Sequence, residues 1–216
     1  MSSDYNEDYY TGKNSNYGFL GGYSGRLIRT GRYIKSKCVI STLSKYGKSG
    51  KLLDVGCAYG FISNNLSRSG FDVVGIDISE HAIKVAKSKF PHIKFIKRDI
   101  QLNTEFENNE FDFIVALDVL EHCQNVDSAI EEINRILKKD GILLLSIPTT
   151  DFHKKIHLDE SHNIFLSLEG WYKKLSEYEF RVIEKRIGLG WLKLIKRDWC
   201  FHQIILKKPI HPKISI

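Results

Sequence analysis

The sequence lacks the marks of a disulfide framework, a zinc knuckle and a membrane-spanning helix. Its four cysteines lie far apart and form no Cys-x-x-Cys pair, which argues against paired disulfides or a zinc site. No stretch reaches the roughly 18 apolar residues that predict a membrane span. Residues 1–17 are polar and tyrosine-rich, without the apolar core of a signal peptide. These absences favour a protein of the reducing cytoplasm.

The net positive charge of the chain is concentrated near its end, because positive and negative residues nearly balance over residues 1–180. The net charge is +6, and residues 181–216 hold nine Lys or Arg against two Asp or Glu. We favour a solvated basic face that maintains solubility over contact with an anionic acceptor, a nucleic acid or a membrane surface. No internal repeat and no indication of oligomeric state is found.

Apolar periodicity and turn residues predict alternating strands and helices. Helices are predicted over residues 24–46, 60–69, 79–90 (with Ser79 as the N-cap), 127–138 and 167–178. Strands are predicted over residues 51–55, 72–76, 93–96, 111–117, 142–147, 180–187 and 199–207.

This alternation predicts an α/β fold. Alternation favours a doubly wound, mostly parallel sheet with helices on both faces, and the family resemblance given below implies the Rossmann-like form with an antiparallel last strand. We divide the chain into an N-terminal lead and helical cap over residues 1–49 and the main domain over residues 50–216. Residues 1–20 are interpreted as a flexible polar lead.

The most informative pattern lies at the ends of the first two predicted strands. An apolar run ends in Asp54, a turn between Gly56 and Gly60 follows, and the next strand ends in Asp77. This turn is neither the GxGxxG dinucleotide fingerprint nor a P-loop, because Gly56 and Gly60 stand four apart and no Lys-Ser/Thr pair follows them. Glycines that admit a ligand to the backbone, with a carboxylate at the next strand end for ribose hydroxyls, predict a nucleoside site.

Five sequence blocks in order give the chain a resemblance to a known family. They are residues 53–60 (LDVGCAYG), 75–79 (GIDIS), 98–100 (RDI), 111–122 (FDFIVALDVLEH) and 137–143 (LKKDGIL). Over about residues 50–180 the chain resembles the class I S-adenosylmethionine-dependent methyltransferases. Within that class it is similar to the small-molecule enzymes that include the ubiquinone-biosynthesis O-methyltransferases.

The resemblance implies which residues hold the cofactor. The turn with Gly56, Cys57 and Gly60 would meet the methionine part, and Asp54 would hold its ammonium directly or through water. Asp77 would accept the ribose hydroxyls. The other implied contacts are Ile78 on the adenine face, Asp99 and the backbone of Ile100 at the adenine edge, and Leu117 and Asp118 at the methyl-donor end.

Two interpretations are open for the block that ends in His122. In the favoured one, His122 and His162 act on the acceptor, and a histidine serves as general base for a hydroxyl. In the other, the resemblance implies a divalent metal held by Asp118, Glu121, His122 and His162. Asp118 stands where the clearest metal-binding members have the longer glutamate, so we favour the interpretation without a metal. His153 and His157 are interpreted as exposed loop residues.

Aromatic residues near both ends offer further candidates. Tyr17 and Tyr23 are candidate lid residues over cofactor and acceptor, whereas Tyr5, Tyr9 and Tyr10 fit a lid or a disordered lead equally well. The apolar and basic residues 191–197 are interpreted as a covering loop rather than a membrane-surface segment.

The expected function is that of an S-adenosylmethionine-dependent methyltransferase, with O-methylation of a small or medium-sized acceptor preferred. One alternative is a nucleic-acid or protein methyltransferase that uses the basic C-terminal segment. The absence of an Asn-Pro-Pro-Tyr-type block after the fourth strand argues against modification of amino groups on bases or glutamine. The other alternative is a cofactor-binding scaffold without activity.

Overall fold

The computed structural model describes residues 5–11, 13, 26–147, 163–164, 166–187 and 202–210. The helices are α1 (Glu7–Thr11), α2 (Arg26–Leu43), α3 (Phe61–Ser67), α4 (Glu80–Lys89), α5 (Val126–Ile136) and α6 (Leu168–Glu177). The strands are β1 (Gly50–Val55), β2 (Phe71–Asp77), β3 (Lys94–Lys97), β4 (Phe111–Leu117), β5 (Leu137–Ile147), β6 (Arg181–Ile187) and β7 (His202–Lys207). No helix within these ranges is long and apolar enough to cross a membrane.

All seven strands belong to one sheet, in the order β3-β2-β1-β4-β5-β7-β6. The pairs β1–β2, β2–β3 and β4–β5 are parallel. Strand β7 is antiparallel to both of its neighbours, β5 and β6. The predicted fold class, a mostly parallel Rossmann-like sheet with an antiparallel last strand, is therefore confirmed.

The chain forms two compact units, Met1–Asp99 and Ile100–Ile216. In the first unit, Asp54 pairs with Gly75 and Val55 with Ile76, so β1 and β2 end side by side. In the second unit, the buried strands β4 and β5 carry nearly continuous apolar residues, as parallel strands covered on both faces do. The sequence-based boundary after residue 49 stays a prediction.

Side-chain caps explain where several helices begin. The Ser79 hydroxyl accepts the Ala82 N–H and starts α4, as predicted. The Asn125 side chain accepts the Ser128 N–H at the start of α5, and Ser167 caps α6 in the same way. Each cap satisfies an N–H group that has no partner inside its own helix.

Two predictions about local structure are wrong. The helix predicted over residues 127–138 ends at Ile136, and β5 begins at once with Leu137, five residues before the predicted strand. The reason is an irregularity in the ladder: Phe111 pairs with Leu137 but Phe113 with Ile142, so residues 138–141 bulge out. The Asp140-Gly141 pair, whose residue types are typical of a helix terminus, lies in this bulge, with Asp140 at φ 66°.

The second wrong prediction concerns the flexible lead, because residues Glu7–Thr11 form helix α1. The Asn6 side chain accepts the N–H groups of Asp8 and Tyr9 and so caps its start. Tyr10 is buried, with 5% of its surface exposed. An N-terminal segment is ordered where side chains fix it to the domain, and Tyr10 does so here.

Candidate functional site

Asp54 is a buried carboxylate at the end of β1. It is 3% exposed, and its Oδ2 accepts a hydrogen bond from the Ser63 hydroxyl at 2.5 Å. Burial raises the pKa of Asp54 to about 7, and the repulsion from Asp77 adds to this, against the lowering effects of Ser63 and Lys35. Asp54 is therefore poised between its neutral and charged forms near neutral pH, and a nearby cation would favour the charged form.

Asp77 is the last residue of β2, where it pairs with Lys97 of β3, one residue beyond the last pair of β2 with β1. Its Oδ2 accepts the Ala58 N–H at 2.9 Å, and its Oδ1 accepts the Ser79 N–H at 2.8 Å. Burial raises the pKa of Asp77 to about 6, while these two N–H groups lower it. Asp77 is buried, with 8% of the residue's surface exposed.

The carboxylate of Asp77 fits the diol of a ribose. A carboxylate has about four lone-pair directions, and the two backbone N–H groups use two of them. The other two can accept two hydroxyl donors without loss of the existing bonds. The backbone bonds also fix the carboxylate in one orientation before a ligand arrives, which lowers the entropic cost of binding.

The turn between β1 and α3 is tied to β2 by its own backbone. The Cys57 N–H donates to the Ile76 carbonyl at 2.9 Å, and the Cys57 thiol is buried. Gly60 has φ 75°, and a Cβ there would come within 2.6 Å of the Phe95 ring. Packing against Phe95 therefore demands glycine at this position, independently of any ligand. Gly56, which is exposed at φ 70°, is the glycine open to the surface.

The remaining predicted adenine contacts follow β2 and β3. Ile78 and Asp99 are half-buried, and Ile100, the first residue of the second unit, is buried. Their assignment to the adenine ring stays a prediction.

In the second unit, the end of β4 has an unusual backbone. Leu117 and Asp118 are half-buried, and Asp118 has φ 56°, a left-handed conformation that asparagine and aspartate tolerate better than most residues. The Asp118 N–H donates to the Ser146 carbonyl, and the Ser146 hydroxyl donates to Asp118 Oδ1 at 2.8 Å. Strand β5 therefore holds the Asp118 side chain in place.

Glu121 and His122 lie in a short 3₁₀ turn, Leu120–His122, directly after this point. Glu121 is 1% exposed, and its carbonyl accepts the N–H groups of Asn163 and Ile164. His122 is half-buried, and the Asn163 side chain donates to its carbonyl at 2.8 Å. The segment just after His162 is thus fixed to the turn that carries His122.

Several predicted residues lie outside the described part of the chain: His153, His157, His162, Tyr17, Tyr23 and the segment 191–197. Within the described ranges, no group of three or more His, Cys, Asp or Glu side chains is arranged to hold a metal ion. The set Asp118, Glu121, His122 and His162 includes one residue beyond those ranges, so it stays a prediction.

Sequence reasoning missed an aromatic cluster beside Asp77. The Tyr59 hydroxyl lies 3.0 Å from His81 Nε2, and the Tyr10 ring stacks on Tyr59 with centroids 4.8 Å apart. Ser63 and Ser146, the hydroxyl partners of Asp54 and Asp118, were also missed. A serine in an apolar strand, such as Ser146, is the kind of signal that points to a partner at the strand end.

Comparison with known proteins identifies the domain type. Residues 53–145 match the methyltransferase domain family. A ubiquinone biosynthesis O-methyltransferase from Pelagibacter ubique is 29% identical over 174 residues, covering 78% of this chain and 63% of its own length. An enzyme of the same name from Glaesserella parasuis is 33% identical over 126 residues, covering 53% of this chain and 49% of its own. The chain thus spans 63% and 49% of these curated relatives.

A solved structure shows the same fold over nearly the whole chain. The crystal structure of a protein from Pyrococcus horikoshii matches with a TM-score of 0.69, covering 93% of this chain and 95% of that one. Its sequence identity is 20%, so the likeness concerns the fold.

Proposed function

We propose that residues 53–145, which match the methyltransferase domain family, form a class I S-adenosylmethionine-dependent methyltransferase domain, and that the protein transfers the methyl group of S-adenosylmethionine to a small or medium-sized acceptor. The observation that carries the proposal is Asp77, a strand-end carboxylate fixed by two backbone N–H groups with acceptor capacity left for a ribose. When bound, S-adenosylmethionine supplies a methyl group activated on a sulfonium sulfur.

The first unit would bind the donor. Asp77 takes the ribose hydroxyls, and the exposed Gly56 lets the backbone approach the methionine part. Asp54, which is 3% exposed, holds the ammonium through water. Two carboxylates beside each other suit a ligand that carries positive charge on its ammonium and sulfonium groups, since each cation stabilises the ionised form of its neighbour.

The second unit would supply the residues that act on the methyl acceptor. We assign His122 as the base that takes the proton from an acceptor hydroxyl. His162, which directly precedes Asn163 in the sequence, is the other candidate for this base. The rest of the catalysis is alignment of acceptor and donor, which converts a bimolecular reaction into an effectively unimolecular one. The relatives named as O-methyltransferases support a hydroxyl acceptor.

Transfer of a labelled methyl group tests this function. The purified protein is incubated with methyl-labelled S-adenosylmethionine and a cell extract divided into low-molecular-weight, RNA and protein fractions. We expect label in an organic product of the low-molecular-weight fraction, stable to mild base as an ether is. His122→Ala should lower the rate about 100-fold, because a general base contributes roughly that much or more. Label in RNA or protein would support the alternative macromolecular acceptors, and no label in any fraction would contradict the proposed activity.

A further inference from the structure

Residues 5–11, which include helix α1, pack directly on the two turns that hold Asp77. One turn, after β1, contains Ala58 and Tyr59; the other, after β2, contains Ser79 and leads into α4. Ala58 and Ser79 are the residues whose N–H groups bind the two oxygens of Asp77. All of these residues belong to the Met1–Asp99 unit. Residues 5–11 therefore contact the turns whose N–H groups hold the carboxylate predicted to bind the ribose.

Tyr10 makes the contact with the first turn. Its ring stacks on Tyr59, and it forms a buried cluster with Ala58, Tyr59 and Ala82. The Tyr10 and His81 rings are also stacked, at 6.0 Å between centroids. Because Tyr59 and His81 share a hydrogen bond across the two turns, Tyr10 covers a bridge that joins them.

Tyr5 makes the contact with the second turn. The Ser79 hydroxyl donates to the Tyr5 carbonyl at 2.5 Å while it accepts the Ala82 N–H at 3.1 Å. Tyr9 links the two contacts, since its ring packs edge-on against both Tyr5 and Tyr10. Glu7 adds a charge near Tyr59, where it helps to raise the pKa of the phenol, although burial contributes more.

We propose that residues 5–11 form a strap whose docking on Tyr59, His81 and Ser79 completes the donor site by fixing the two turns that hold Asp77. The strap residues Tyr5, Tyr9 and Tyr10 act as positioning residues, with no contact to the reacting atoms. This inference rests on the proposed function, because it concerns how the same carboxylate binds the cofactor. It predicts that cofactor binding and strap docking reinforce each other.

The coupling has a physical basis in ordering. A docked strap restricts the turns around Asp77 before the ligand arrives, so the ligand bears less of the entropic cost of ordering them. Thermodynamic linkage then requires the converse: bound cofactor must favour the docked strap by the same factor. The strap is held by a few contacts of a five-residue helix, which places it among the parts of the fold that open most readily.

The test compares three tyrosine variants by calorimetric titration with S-adenosylhomocysteine. Tyr10→Ala removes the stacking on Tyr59, and Tyr10→Phe retains it. Tyr33→Ala is the matched control, because Tyr33 lies on α2 of the same unit and is 53% exposed. We expect Tyr10→Ala to raise the Kd roughly threefold to tenfold, the equivalent of one lost aromatic pair. Tyr10→Phe and Tyr33→Ala should bind as the unchanged protein does.

A second measurement on the unchanged protein covers the case in which Tyr10→Ala does not fold. Amide hydrogen exchange of residues 5–11 should slow when S-adenosylhomocysteine binds, by the same factor as the Kd change. If the unchanged protein binds the ligand, while exchange in residues 5–11 stays constant and Tyr10→Ala binds normally, the strap is overturned and the proposed function stands. If the unchanged protein does not bind the ligand, both proposals fail.

Discussion

Asp54 and Asp77 end neighbouring strands, and their different surroundings give them different roles. Asp54 accepts a hydrogen bond from a side chain, the Ser63 hydroxyl, whereas Asp77 accepts hydrogen bonds from the backbone N–H groups of two turns. A backbone-held carboxylate keeps its orientation when side chains move. This favours Asp77 for the direct contact with a ribose and Asp54 for a contact through water.

Their pKa values predict a pH dependence of stability in the protein without ligand. The pKa is raised to about 7 for Asp54 and about 6 for Asp77, so the folded protein binds more protons than the unfolded one above the usual aspartate range. The contribution of these two groups to stability is therefore greatest below the unfolded aspartate pKa and is lost as pH rises from about 4 to about 7. Bound cofactor acts in the opposite direction, because its positive charge favours the ionised carboxylates.

The affinity for S-adenosylmethionine should accordingly rise between about pH 5 and about pH 8, as the carboxylates lose their protons. Asp77→Asn should weaken binding at high pH and reduce this rise, leaving the part that Asp54 contributes. Asp72→Asn is the control, since Asp72 is an exposed residue of the same strand. Equilibrium titrations at a series of pH values measure the effect. An affinity that does not change with pH in the unchanged protein would contradict these roles.

The types of residue at this site could be predicted from the sequence, but the residues that bond to them and pack against them could not. A glycine turn and two strand-end acids form a pattern in the sequence itself. The partners of Asp54 and Asp118, Ser63 and Ser146, come from a helix and a strand that the sequence brings near only through the fold. Gly60 shows the same limit, because its glycine requirement comes from Phe95 on β3.

At the scale of elements, the passage from α5 into β5 is held by a lysine from the end of the chain. Lys208 Nζ donates to the carbonyls of Asn134 and Leu137 at 2.5 and 2.8 Å, and to Asn109 Oδ1 at 3.1 Å. These carbonyls belong to the last turn and the C-cap of α5, where a cation is favoured by the helix dipole. Burial lowers the pKa of Lys208, because the charged ammonium loses water when it lies against the end of α5.

Lys208→Met should therefore lower the free energy of unfolding by about 1–3 kcal/mol, the range for hydrogen bonds to a charged group. Lys207→Met is the matched control, since Lys207 pairs with Asp140 at the surface and should contribute less than about 1 kcal/mol. Urea unfolding of both variants measures the difference. Equal destabilisation by the two substitutions would contradict the capping role of Lys208.

This element also explains why the sequence prediction of α5 failed at its end. The apolar period of the helix continues through Leu137, the first residue of the strand, and the Asp140-Gly141 pair that follows imitates a helix terminus. The true end at Ile136 depends on the pairing of Leu137 with Phe111 and on Lys208, which lies far away in sequence. Long-range contacts of this kind decide element boundaries that local pattern leaves open.

At the scale of the whole molecule, the mostly parallel α/β sheet followed from the alternation of strands and helices. Strands with apolar runs between capped helices leave few arrangements besides a parallel sheet. The N-terminal segment was misjudged because its polar and aromatic composition resembles a disordered lead, whereas Tyr10 is buried in the fold by contacts with Ala58, Tyr59 and Ala82. We expect the acceptor chemistry to depend on segments outside the cofactor motifs, because one fold can carry many different sites.

The central claim is that Asp77 binds the ribose of S-adenosylmethionine at the end of β2. A crystal structure of the protein with S-adenosylhomocysteine tests it most directly. The account predicts both ribose hydroxyls within hydrogen-bond distance of the Asp77 carboxylate, with the Ala58 and Ser79 N–H bonds intact. A nucleoside bound elsewhere, or an empty site at saturating ligand concentration, would contradict it.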